Sequence, residues 1–168
     1  MKKLTLALVM AAALSACSPK YDWRDYRSND APYAVLFPGK PASQTRSIKL
    51  DQLDVSMTMT AAEIDGVIFA VGSAQLPDAA LAPAAVEAMK TALVKNIGAT
   101  ITSSKAASAG PQTMLDVEAS GSQNGEAMRL IGRFIAKDKR IYQVIVMGRS
   151  KNIEQETVET YLSSFKLN

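Results

Sequence analysis

The sequence predicts an α+β domain built on an antiparallel sheet, and three observations carry that expectation. Over residues 54–61, Val55, Met57, Met59 and Ala61 alternate with Asp54, Ser56, Thr58 and Thr60, the period of a strand with one dry face. Asp65-Gly66 and Asn124-Gly125 stand between apolar runs, where a two-residue hairpin turn needs positive φ at both central positions. In two other stretches, 83–97 and 153–165, apolar residues recur at intervals of three and four, the period of a helix.

Taken in order, residues 18–30 are polar and charged but hold Tyr21, Trp23 and Tyr26 at alternate or near-alternate positions. That spacing suits a short strand or extended arm laid against the domain; the competing reading sets these aromatics among membrane headgroups or on a partner. Tyr33 to Phe37 is a strand stopped by Pro38-Gly39-Lys40-Pro41. A hairpin follows, and its return strand over 67–76 begins apolar on both faces, so it is expected to be covered on both sides. The helix over 83–97 has Pro83 in its first turn and Gly98 at its end. Val86, Met89, Leu93 and Ile97, with Ala85, Ala88 and Ala92, form its apolar stripe, while Glu87, Lys90, Thr91 and Lys95 face away. Strands over 100–106, 113–120, 127–136 and 141–147 then run in series, the last pair joined at Lys137-Asp138-Lys139-Arg140. A final helix is expected from Ile153 to about Ser163, capped by Asn152 with Gln155 three residues on. Its inner face is Ile153, Thr157, Val158, Tyr161, Leu162 and Phe165; if Phe165 is fully buried, its removal costs about 3–5 kcal/mol.

This order resembles the PsbP/Mog1-like fold, and especially bacterial lipoproteins that share the layout. The likeness rests on a strand ending Phe37-Pro38-Gly39-Lys40-Pro41, the helix over 83–97, the meander through Arg140-Ile141-Tyr142-Gln143-Val144, and the closing Leu162-Ser163-Ser164-Phe165-Lys166-Leu167. It spans about residues 33–167, and Asp22-Trp23-Arg24 is similar to a feature of the proteobacterial members. The resemblance implies an α/β/α sandwich with a central antiparallel sheet. It also implies a family whose better-known members bind proteins and do no chemistry, the plant ones attaching to photosystem II and the fungal ones to a nuclear GTPase. No binding residue of either carries over to a position of this chain.

The N-terminus has an organisation of its own. Lys2 and Lys3 precede thirteen uncharged residues, Leu4 to Ala16, and then comes Cys17. A charged n-region, a short apolar h-region and small residues before a cleavage point make residues 1–16 a secretion signal. Thirteen residues fall short of the roughly twenty that a helix needs to cross a bilayer. Leu14-Ser15-Ala16-Cys17 resembles the lipobox of bacterial lipoproteins, which implies cleavage between Ala16 and Cys17 and acylation of Cys17. The alternative is an ordinary signal peptide that leaves a buried or disulfide-bonded cysteine, yet no second cysteine exists for an internal bridge. Two or more acyl chains hold a protein on a membrane where one does not. Ser18 differs from the aspartate that resembles an inner-membrane retention signal, so the periplasmic leaflet of the outer membrane is the expected location. Residues 17–32 are then read as a lipidated tether and 33–168 as the globular domain.

Taking sixteen from 168 leaves 152 residues, enough for one domain, and the formal charge of +3 falls to +1 once Lys2 and Lys3 are gone. Basic and acidic residues are interspersed, so nucleic acid is not an expected partner. There is no histidine, and Cys17 is the single cysteine. Serine–histidine triads, cysteine proteases and zinc sites of the histidine or cysteine kind are thereby excluded, and no catalytic residue, cofactor or metal is expected.

Arg129 and Arg133 lie four apart on one strand, so they share a face, and Arg149 ends the adjacent strand. With Trp23 they are the candidate contacts to an acidic partner or anion, since guanidinium offers a planar fork to carboxylate or phosphate. The plainer expectation pairs them with Asp116 or Glu118 across the sheet. Asp51, Asp54, Glu63 and Asp65 lack the spacing of a calcium loop, and Gly121-Ser122-Gln123-Asn124-Gly125 lacks the lysine of a phosphate loop. The sequence therefore predicts a lipid-anchored, non-enzymatic module that binds an envelope protein or helps assemble one. The alternative is a carrier of a small apolar or amphipathic ligand, which needs an enclosed pocket. A hydrolase working through paired carboxylates is a third and weaker reading.

Overall fold

The computed structural model describes residues 19–109 and 112–168, the side chain of Ala109 excepted. Cys17, Ala16 and the signal segment lie outside the described residues. In chain order the elements are β1 (Arg24–Arg27), β2 (Tyr33–Phe37), β3 (Ala42–Leu50), β4 (Leu53–Ile64), β5 (Val67–Gln75), α1 (Ala82–Asn96), β6 (Ala99–Ala109), β7 (Gln112–Gln123), β8 (Glu126–Lys137), β9 (Arg140–Arg149), α2 (Gln155–Ser164) and β10 (Lys166–Leu167).

Seven strands form one antiparallel sheet in the order β3-β4-β5-β9-β8-β7-β6. Two meanders meet where β5 pairs with β9, and α1 makes the crossover that carries the chain from β5 to the far edge at β6. The turns follow local chemistry. Asp65 and Gly66 have φ of +51° and +74°, and Asn124 and Gly125 have +51° and +78°, the left-handed pair that matches the twist of a tight hairpin. Asp51 and Asp138 sit at +55° and +53° in the β3–β4 and β8–β9 turns; aspartate tolerates that region better than bulky residues do.

Because both faces of the central strands are covered, β5 and β9 are apolar on both sides, as the run over 67–76 predicts. On one face α1 packs Ala82, Ala85, Val86 and Met89 onto Met57, Ala74, Phe134 and Ile141. Further along it sets Val94 against Ala119, Leu130 and Ile145. Here the stripe departs from expectation: Val94 is buried and Ala92 exposed, since positions 86, 90 and 94 keep the helical period and valine buries more apolar area than alanine. Lys90, expected to face away, lies along that same line; its side chain is only 14 % exposed, and its ammonium pairs with Glu87.

The opposite face is covered by α2 together with a second sheet in the order β1-β2-β10. Tyr33, Val35 and Phe37 of β2 and Val158 and Tyr161 of α2 bury themselves on Phe69, Val71, Tyr142, Val144 and Val146. One expectation is met here and one is corrected. The arm upstream of Tyr33 lies against the domain, as the spacing of Tyr21, Trp23 and Tyr26 suggests: Arg24–Arg27 pairs with β2, and the Asp22 amide donates to the Pro38 carbonyl at 3.0 Å. The second concerns Asn152, which does not cap the last helix. It lies in a 3-10 turn, and its side-chain amide donates to the Asp65 carbonyl at 3.1 Å, so α2 begins at Gln155.

The register of β4 shows how two covers divide one strand. Val55 and Met57 face α1 and are buried, but from Thr60 onward the buried residues are Thr60 and Ala62, on the side of the small sheet. Gly72 marks the tightest approach on the α1 side. A Cβ there would stand 2.6 Å from Met59 Sδ and 2.8 Å from Gln143 Cγ, so only glycine leaves room for both side chains.

Candidate contact surface

The N-terminal arm is the first candidate. Trp23 and Tyr26 are half-buried against the aromatic core, with Tyr26 edge-on to Phe37 at 5.6 Å and its hydroxyl 3.4 Å from Ser43 Oγ. Tyr21 lies 6.0 Å from Trp23 with rings tilted by 40°. The arm is tied at its start, because Lys20 pairs with both Glu154 and Asp65. The hydrogen bond from Lys20 holds the Glu154 carboxyl below its ordinary range, and Glu154 raises the Lys20 ammonium above its own. The chain is therefore fixed to the start of α2 and the β4–β5 turn before the first strand begins.

The arginine row is the second. Arg129 and Arg133 do share the face of β8 that carries Ile131, and both are answered from β7. Arg133 donates to Asp116 through Nε at 2.7 Å and through a terminal nitrogen at 3.1 Å; Arg129 donates to Glu118 at 2.9 Å. Arg149 does not join them. It lies at the end of β9 with Nε 2.7 Å from Glu126 Oε2, an ionic contact rather than an aligned hydrogen bond, and Lys151 donates to the other oxygen of Glu126 at 3.2 Å. These guanidiniums are neutralised within the fold, so the row is a paired sheet surface and not an open anion fork.

Beside Arg149 a polar cleft of about 540 Å3 is bordered by Asp65, Asn124, Glu126, Met128 and Asn152. Asp65 and Asp51, which the sequence places in one acidic series, stand in turns at opposite ends of the twelve-residue β4. Among the described residues no three histidine, cysteine, aspartate or glutamate side chains gather in a metal-binding group, and no helix is long and apolar enough to cross a membrane.

An antiparallel sheet covered by one helix on one face and by a helix with a small sheet on the other defines the class: the chain has the PsbP-like fold. In particular, it is similar to the solution structure of cyanobacterial PsbP (CyanoP) from Synechocystis sp. PCC 6803, with a TM-score of 0.55 over 91 % of this chain and 96 % of that one. At 13 % identity the likeness is one of fold. The sequence matches no protein-family profile and no curated protein.

Proposed function

We propose that this chain is a bacterial lipoprotein, held through acylated Cys17 on the periplasmic leaflet of the outer membrane, whose PsbP-like domain binds or helps assemble an envelope protein without catalysing a reaction. The observation that carries the reading is Leu14-Ser15-Ala16-Cys17 at the close of the uncharged run that begins at Leu4. The fold adds a geometric consequence. Lys20 is pinned to Glu154, and three residues of chain reach at most about 11 Å. An anchor at Cys17 would therefore hold the β4–β5 turn and the start of α2 close to the headgroups, with little free tether.

The absence of histidine, the single cysteine and the pairing of Arg129, Arg133 and Arg149 with carboxylates support binding over chemistry. The carrier reading gains no observation in its favour: the layers on both faces of the sheet are filled by aromatic and aliphatic side chains, and the 540 Å3 cleft is lined by polar groups. The test is in-cell crosslinking from a photoreactive residue at exposed Asp25, followed by mild detergent extraction. A reproducible crosslinked envelope protein, lost when Cys17→Ser removes the anchor, is the expected result. A chain that crosslinks to nothing above background, at this position and at exposed Lys49, would overturn the reading.

A further inference from the structure

Three cations without a carboxylate partner stand together at the opposite end of the sheet. Lys137 stands across from Arg140 in the β8–β9 register, and Arg140 stands across from Gln75 of β5, so the three side chains leave the same face side by side. Tyr142 follows on that face, and Leu167 of β10 forms the facing wall of a cleft of about 460 Å3. Lys139 at the hairpin tip also lines it. None of Lys137, Lys139 and Arg140 forms an ion pair among the described residues; other lysines and arginines are unpaired too, but these three line one cleft together. The acidic side chain on the rim is Asp138, and it does not lie within pairing distance of these cations.

We infer that this cleft is a binding site for an oxyanion, a carboxylate or phosphate carried by a small ligand. Arg140 offers a planar fork, Lys137 and Lys139 offer compact charges, and Gln75 and the Tyr142 hydroxyl add neutral donors. The cleft is open to solvent and large enough to admit such a group. Along β9, Arg140 is seven residues from Met147, which borders the β4–β5 region where Lys20 is tied; seven residues of strand span roughly 23 Å. The cleft thus opens at the end of the sheet away from the start of the described chain. The inference stands whether or not Cys17 is acylated.

The test is a titration of the full-length protein as purified, in nonionic detergent and at constant ionic strength, with inorganic phosphate and separately with acetate, followed by amide chemical shifts. Saturable shifts confined to residues 75–76, 137–142 and 167–168 are expected, and the anion that saturates first names the ligand class. Lys137→Gln with Arg140→Gln should weaken binding by about tenfold or more, while Lys151→Gln at the other end of the sheet leaves it unchanged. If the double variant does not fold, Lys139→Gln alone should still weaken binding measurably. Shifts that fail to saturate, that appear equally at Lys49 and Lys105, or that survive the 137/140 substitutions would overturn the assignment.

Discussion

Arg133 donates two hydrogen bonds to Asp116, at 2.7 and 3.1 Å, across neighbouring strands of the main sheet. The pair joins residues in direct register, and it converts the most conspicuous candidate anion site of the sequence into an internal contact. Both side chains remain partly exposed, 27 % and 47 %, so the pair contributes modestly to stability. Asp116→Asn should lower the unfolding free energy by no more than about 1 kcal/mol, read as a small shift of the urea midpoint at unchanged slope.

The aromatic layer is where large losses are expected. Phe37 has no exposure and meets Tyr26 and Tyr161, so Phe37→Ala should cost about 3–5 kcal/mol. Phe165 stacks on Tyr33 at 5.5 Å but is only half-buried beyond the end of α2, and Phe165→Ala should cost clearly less than that range. Denaturant melts of the two variants in parallel check the order; equal losses would contradict it.

Tyr161 is fully buried between Phe37 and Phe69, and its hydroxyl has no hydrogen-bond partner among the described residues. Removing an unpartnered buried polar group relieves a desolvation cost. Tyr161→Phe should therefore leave stability within about 0.5 kcal/mol of the parent or raise it, where a loss above about 1 kcal/mol would reveal a bonded hydroxyl.

Burial also pushes up the ionisation of three tyrosines: Tyr33 to about 12, Tyr142 above its ordinary value, and Tyr161 well above it. In the unfolded chain these phenols ionise near 10. Between those values the folded state binds more protons than the unfolded one, so stability is intact below about pH 10 and falls as pH rises through about 12. A tyrosinate absorbance titration should show these phenols ionising together with loss of the near-ultraviolet circular dichroism. A smooth, non-cooperative rise of all five tyrosines near pH 10 would contradict the buried cluster.

Much of this fold is legible in the sequence because its long strands and turns state their own period. Asp65-Gly66 and Asn124-Gly125 leave little choice of turn, and the two-faced apolar run over 67–76 marks the strand at the centre of the sheet. The small sheet is legible only in part: β2 and the arm before it can be read, but their pairing cannot. β10 has two residues, too few to show an alternation, and it depends on β2, which is distant in the chain. Asn152 misleads for a related reason: its side chain satisfies the Asp65 carbonyl, a tertiary partner that no local pattern announces. The site divides in the same way. The pairing of Arg133 with Asp116 follows from strand alternation, whereas the cleft at Lys137 and Arg140 arises where the hairpin tip meets β10.

An anchor at Cys17 is read out by the intact mass of the detergent-extracted protein beside a Cys17→Ser version. The wild-type chain should begin at Cys17, carry the added mass of a diacylglycerol and an amide-linked acyl group, and partition with membranes, while the Cys17→Ser chain shows none of these. A wild-type chain that retains residues 1–16, or one cleaved there with an unmodified thiol and recovered in the aqueous fraction, would contradict it.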